Sequence, residues 1–247
     1  MAERSPVPNH IAVILDGNGR WATSRGQPRL RGHEHGAEAV RATIRGCRAR
    51  GVKYLTLYAF SIANWSRPKD EIDGLMRLCM QFAERERAEL CERGIAVKVI
   101  GDLDDTPTPT RRAIEALVAD TAGGREMTLA LALSYGGRRD VVNAMRAIAV
   151  RARAGLVVPE DIDESSLRSF LTTSPLPDPD LVIRTGGEKR LSDFLLFECA
   201  YAELFFTETL WPDFTQATLD EAIAAYARRE RRYGRTSDQV LDATGSF

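Results

Sequence analysis

The sequence predicts one α/β domain, a mainly parallel six-stranded sheet flanked by helices on both faces. Three observations predict it. Short apolar runs alternate with longer amphipathic ones. The short runs are almost continuously apolar, as strands buried on both faces are. No internal repeat or low-complexity linker divides the 247 residues. The domain is expected to span 1–247, with 1–8 and 235–247 flexible. Crossovers between its parallel strands should be right-handed.

The elements follow in order. Residues 11–15 (IAVIL) read as a buried first strand. Residues 34–50 read as a helix, with Ala37, Val40, Ile44 and Cys47 at spacings of three and four. Residues 53–60 make a second strand, and 69–93 a long helix closed by Gly94. A third strand covers 95–100, followed by a Pro/Thr-rich turn and a helix over 109–121. The fourth strand, 127–134, stops at Gly136-Gly137. Helices over 138–153 and 163–171 come next, then strands at 181–183 and 204–206 and a last Arg-rich helix over 216–232. The prolines at 175, 177 and 179 form too short a stretch to separate domains.

The formal net charge is −1, so no global field draws the chain to nucleic acid. Anion binding must come from local arginine clusters. Cys47, Cys79, Cys91 and Cys199 form no C-x-x-C pair and read as reduced, mostly buried thiols. The N-terminus has no apolar signal core, and no stretch approaches the roughly 20 apolar residues of a membrane span. The expectation is a cytoplasmic protein, compatible with loose contact at a membrane surface.

Open parallel sheets bind ligands at the carboxyl ends of their strands. Three of those ends carry polar loops: Asp16-Gly17-Asn18-Gly19-Arg20-Trp21, then Ser61 to Arg67, then Arg184 to Ser192. In the first, glycines let backbone approach a ligand, N–H groups at a helix start face an anion, and Arg20 offers a planar fork. Asp16 reads either as a helix cap or as a Mg²⁺ ligand beside phosphate. Arg29, Arg31 and His33 add charge beside this loop; His33 and His35, two apart, would not share a helix face. In the third loop, Arg184, Arg190 and Ser192 around Gly186-Gly187 suit a second anion. The first loop also fits the dinucleotide pattern G-x-G-x-x-A. That pattern needs an acid at the end of the second strand, where Tyr58-Ala59-Phe60-Ser61 has none, so the nicotinamide reading fails. The apolar face Leu75, Leu78, Cys79, Phe82 reads equally as core or as the wall of a tunnel.

Longer segments carry a resemblance along nearly the whole chain. They are 10–22 (HIAVILDGNGRWA), Gly32-His33, 57–61 with Asn64-Trp65 and Arg67-Pro68, 134–138 (SYGGR), 180–188 (DLVIRTGGE) with 190–192, 200–207 (AYAELFFT) and 210–213 (LWPD). In these the chain resembles the cis-prenyltransferases, the undecaprenyl diphosphate synthase family.

The resemblance implies a hydrophobic tunnel and a Mg²⁺-dependent condensation of isopentenyl diphosphate with an allylic diphosphate, farnesyl diphosphate by preference. The product expected is Z-polyprenyl diphosphate near C55, the lipid carrier of bacterial cell-wall synthesis. It implies Asp16 and Glu203 as metal ligands, and Gly17, Asn18, Gly19, Arg20, Trp21, Arg29 and His33 around the starter diphosphate. Arg184, Arg190 and Ser192 would hold isopentenyl diphosphate, while Ser61, Asn64, Trp65 and Arg67 form a mobile loop that assists condensation. Asp16, Asn64 or the released diphosphate would take the proton, which makes Asp16 and Asn64 the catalytic candidates. Small Ala59 leaves the tunnel open, and Met127 is a candidate for its far end. A homodimer is implied, with 200–206 and Trp211 to Phe214 as a candidate interface.

Two positions depart from the family pattern: Leu15 for the commoner Met, and Ile62-Ala63 for a polar–acidic pair in the mobile loop. Three rival readings stand beside this one. A short-chain or branched-product synthase differs only in product; a non-catalytic subunit would lack Asp16 and its loop; a nucleotide-binding module would prefer NAD or ATP to diphosphates.

Overall fold

The computed structural model describes residues 7–229. Strand β1 (His10–Ile14) is buried at every position and lies inside the sheet, so both of its faces are apolar. Strands β2 (Tyr54–Ser61), β3 (Ile95–Gly101), β4 (Met127–Tyr135), β5 (Leu181–Arg184) and β6 (Glu203–Phe206) complete a sheet of order β3-β4-β2-β1-β5-β6. Every pairing is parallel, beyond the mainly parallel sheet expected. Alternate residues serve opposite faces. Ile11, Val13, Leu55, Leu57, Leu129 and Ile183 join one core cluster. Ala12, Ile14, Ala130, Ala132 and Val182 join the other, against Phe194, Leu195 and Leu176.

Helices α1 (Asn18–Thr23), α2 (Arg29–Ala49), α3 (Lys69–Glu92), α4 (Thr108–Thr121), α5 (Gly137–Arg153), α6 (Glu164–Phe170) and α7 (Gln216–Arg228) connect the strands. Residues from α2, α3, α4 and α7 fill the first cluster. Helix α2 begins at Arg29, five residues before the expected start at 34. Pro28, at φ −57°, enters that turn in a conformation proline fixes, while its polar residues carry no periodic signal. Helix α1 packs so closely on α2 that a Cβ on Gly32 would lie 1.8 Å from the Asn18 carbonyl oxygen.

The Pro-rich stretch belongs to the same body. His10 Nδ1 donates to the Pro177 carbonyl at 2.8 Å, so Nε2 accepts from the Thr56 hydroxyl at 2.8 Å. Most of the two segments expected to be flexible lies outside the described residues; within them, Val7 packs on the core and Pro8 is buried. The last part of the expected 216–232 helix also lies outside them. All four cysteines are free thiols, with Cys47 and Cys199 buried and Cys91 exposed. Among the described residues no helix is long and apolar enough to cross a membrane.

Candidate active site

Strand β1 lies where the order reverses: the chain leaves it toward β2 on one side, and β5 returns on the other. Such a switch point opens a crevice at the strands' carboxyl ends. Asp16 follows β1 there and Arg184 ends β5, and the two meet with Arg184 Nη2 2.8 Å from Asp16 Oδ2. Arg184 also donates from Nη1 to Ser192 Oγ at 2.7 Å and to the Arg190 carbonyl. Thr185, fully buried, binds the loops together: its hydroxyl donates to the Asp16 carbonyl at 2.7 Å and accepts from the Asp16 N–H at 3.0 Å. The sequence reading missed Thr185, since a lone threonine after a strand carries no signal.

The first loop turns at Gly17, whose φ of +105° favours glycine. Arg20 Nη2 lies 3.5 Å from Asp16 and 2.6 Å from the Gly186 carbonyl oxygen. The Arg29 guanidinium lies directly over Gly19, where a Cβ would come within 2.5 Å of it. Glu71 of α3 gathers the groups on this side: Arg67 Nη1 at 3.0 Å, Arg29 Nε at 3.3 Å and His33 Nε2 at 4.0 Å. Its spacing of four from Arg67 was the available signal. Burial, with Arg67 next in effect, lowers the His33 pKa to about 4, so the ring is neutral near pH 7.

The 61–67 segment forms a 3-10 turn over Ile62–Ser66. The Asn64 side chain accepts the Ser61 N–H at 3.0 Å. Trp65 donates to Ser134 Oγ at 2.9 Å, and Ser134 in turn donates to Asp105, which Arg139 also holds at 2.8 Å. Asp105 was missed because it lies in an unpatterned turn. Ser134 has φ +48°, a left-handed conformation rare for serine. Ile62 packs beside Gly136, and Ala63 faces the cavity where the resembling family carries an acid.

A cavity of about 460 Å³ opens among these groups. Its mouth carries Asp16, Asn18, His33, Ser61, Asn64, Arg67, Arg184, Arg190 and Ser192; its interior is apolar, with Ala59, Leu75, Leu78, Cys79 and Phe82. The apolar face of α3 is therefore a tunnel wall as well as core. Three buried side-chain atoms at the mouth lack a hydrogen-bond partner: Asn18 Oδ1, His33 Nε2 and Arg184 Nε. Buried polar atoms rarely stay unpaired, which marks the mouth as a place that receives a polar ligand.

Other expectations do not converge on it. The Trp21 indole donates to Asp213 Oδ1 at 2.7 Å, away from the cavity, and packs against the tilted His35 ring at 4.5 Å between centroids. Glu203 begins β6 opposite Leu181, three residues or about 10 Å from the Arg184 end, and pairs with Arg229 at 2.7 Å. Strand register thus separates it from Asp16 within one chain. Met127 is core, not cavity lining, and Trp211 and Phe214 are 1% and 4% exposed, so they are interior rather than interface. Among the described residues no three His, Cys, Asp or Glu side chains converge as a metal cluster. A metal here would need oxygen ligands beyond the protein's own, as Mg²⁺ on phosphate has.

Fold and site define a class: a parallel α/β enzyme with an arginine–carboxylate mouth above an apolar tunnel. A family profile described as "Putative undecaprenyl diphosphate synthase" matches residues 14–234. Over 236 residues the chain is 50% identical to the ditrans,polycis-undecaprenyl-diphosphate synthase ((2E,6E)-farnesyl-diphosphate specific) of Xanthomonas axonopodis pv. citri, covering 96% of this chain and 92% of that protein. It is 49% identical to an isoprenyl transferase of Geobacillus kaustophilus, over 95% of this chain and 91% of that one. The crystal structure of lavandulyl diphosphate synthase from Lavandula x intermedia, in complex with dimethylallyl diphosphate, superposes with a TM-score of 0.91 at 38% identity, covering 93% and 99% of the two chains. The chain belongs to the undecaprenyl diphosphate synthase family of prenyltransferases.

Proposed function

We propose that this prenyltransferase condenses isopentenyl diphosphate with farnesyl diphosphate, repeatedly, to undecaprenyl diphosphate (C55) for the bacterial cell-wall lipid carrier. The observation that carries the reading is the Asp16–Arg184 pair at the switch point, between two arginine-bearing loops and above the apolar tunnel.

Each loop would seat one diphosphate. Asn18, Gly19, Arg20 and Arg29 would hold the allylic one, whose tail enters the tunnel past Ala59. Arg184, Arg190 and Ser192 would hold that of isopentenyl diphosphate. The C1–O bond of the allylic partner breaks and its electron pair leaves with the diphosphate. Arginines and α1 N–H groups stabilise that charge. The isopentenyl double bond then supplies the electrons of the new bond to C1, and loss of a proton from the adjacent carbon forms the Z double bond. Neutral His33 adds no charge where the cation develops. Prenyltransferases of this family generally need a divalent metal. Mg²⁺ fits the single carboxylate of Asp16, and when bound it would neutralise diphosphate charge. Asp16 must then exchange its arginine partners for the metal.

A homodimer is proposed through the exposed Val142 and Met145 of α5, with exposed Leu196 beside the start of that helix. We place the enzyme in the cytoplasm, where both diphosphates are water-borne.

The likeness to lavandulyl diphosphate synthase favours a second reading, a short-chain or branched product. Incubation with farnesyl diphosphate, radiolabelled isopentenyl diphosphate and Mg²⁺, followed by chain-length analysis, separates the two. Products near C55 are expected; products no longer than C20 would favour the second reading.

A further inference from the structure

We infer that the Arg41–Glu86 ion pair ends the apolar tunnel wall between α2 and α3 and thereby limits product length. The inference rests on the chain-elongation reading above. On α2 the cavity lining ends at Val40, and on α3 at Phe82. Arg41 follows Val40 directly, and Glu86 lies four residues beyond Phe82, on the same helix face. Arg41 Nε donates to Glu86 Oε1 at 2.6 Å across the seam, and Arg41 also pairs with Glu38. Beyond this pair the buried side of the seam is apolar, with Ile44 and Leu90 only 4% and 3% exposed, and charge returns only on its outer side, at Arg45 and Glu89. A buried charged pair therefore sits on the seam just past the last residues that α2 and α3 give to the cavity lining.

Its burial distinguishes it from the neighbouring pair. The Arg41 and Glu86 side chains are 21% and 10% exposed, whereas those of Arg45 and Glu89, paired at 2.6 Å one turn further on, are 51% and 27% exposed. A hydrocarbon tail growing past Phe82 would lie against the buried pair. It would strip solvation from both charges and offer no hydrogen bond in return. Each further isoprene unit then becomes harder to seat, and release competes with elongation.

The test compares products of the unsubstituted enzyme with those of Arg41→Met/Glu86→Leu, which continues the apolar wall. The charge-reversed Arg41→Glu/Glu86→Arg restores the pair, and Arg45→Ala probes the exposed one. Farnesyl and isopentenyl diphosphates with Mg²⁺ serve as substrates, and the rate of the first addition is measured alongside. The apolar pair is expected to lengthen the main product by at least one five-carbon unit, raising the ratio of longer to original product about tenfold. The first addition, the reversed pair and Arg45→Ala should match the unsubstituted enzyme. If the apolar pair does not fold, Arg41→Gln/Glu86→Gln, which removes both charges and keeps a hydrogen bond between the side chains, should shift products the same way. An unchanged distribution in folded variants, or equal lengthening by Arg45→Ala, overturns the inference. No elongation by the unsubstituted enzyme would instead overturn the prenyl-transfer reading, and the inference with it.

Discussion

Arg184 and Arg20 reach the same carboxylate from opposite loops, under very different conditions. The Arg184 side chain is 5% exposed and divided among Asp16, Ser192 and the Arg190 carbonyl. Arg20 is 51% exposed and stands 3.5 Å from Asp16, and Arg29 beside it is 53% exposed with Glu71 as its partner. On the β5 side Arg184 is set during folding, desolvated, positioned and committed before any ligand arrives, while Arg190 of the same loop is 61% exposed. The β1 side keeps solvated arginines free to rearrange. An enzyme whose allylic substrate lengthens at every cycle, while isopentenyl diphosphate stays the same, is served by that division. The constant substrate meets a rigid seat and the variable one an adjustable seat.

Breaking the rigid half should have the largest effect. Arg184→Ala leaves Asp16 partly buried without its main partner, and should lower stability by about 3 kcal/mol in chemical unfolding. Arg20→Ala, acting on an exposed pair, should cost less than about 1 kcal/mol in the same measurement. Equal losses would remove the distinction between the halves.

Acid should next single out the histidines. The His33 pKa falls to about 4 through burial and then Arg67, and that of His10 to about 4 through burial alone. Both lie below the unfolded value of about 6.5. Between pH 6.5 and 4 the unfolded chain binds more protons, so stability rises with pH in that window and falls as pH drops through it. From pH 7 to pH 5 each histidine should account for about 2 kcal/mol of lost stability, and His33→Gln should flatten its share of the profile. A flat profile over this window would contradict the buried, neutral ring.

The fold was legible because periodicity and burial are the same physics: strands apolar on both faces betray their position in a parallel sheet. The site was legible where glycine and arginine mark a strand end, at 16–20 and 184–192. Contacts made through tertiary structure were not. Thr185 and Asp105 act through neighbours 169 and 34 residues away in sequence, which no local pattern announces, and Glu71 shows locally only its spacing from Arg67, not its contact with Arg29 42 residues away. Glu203 and Trp21 show the converse. Both stand in segments that resemble the family, but within one chain strand register sets Glu203 at the end of β6 away from Asp16, and an indole–carboxylate bond holds buried Trp21 away from the cavity.

A smaller effect sharpens the adjustable half. Glu71→Gln weakens the hold on Arg29 and Arg67 without removing volume. It should raise KM for the allylic diphosphate about fivefold, roughly 1 kcal/mol, and leave KM for isopentenyl diphosphate unchanged. An equal rise in both constants would show that the halves are not separable at Glu71.

The most direct measurement is a paired one. Arg184→Lys and Arg29→Lys each keep the charge and lose the planar fork. Steady-state constants for both substrates should show Arg184→Lys raising KM for isopentenyl diphosphate at least about tenfold and Arg29→Lys raising KM for the allylic diphosphate instead. If both substitutions raised the KM of one and the same substrate, the two loops would form a single anion site, and the two-diphosphate account would be wrong.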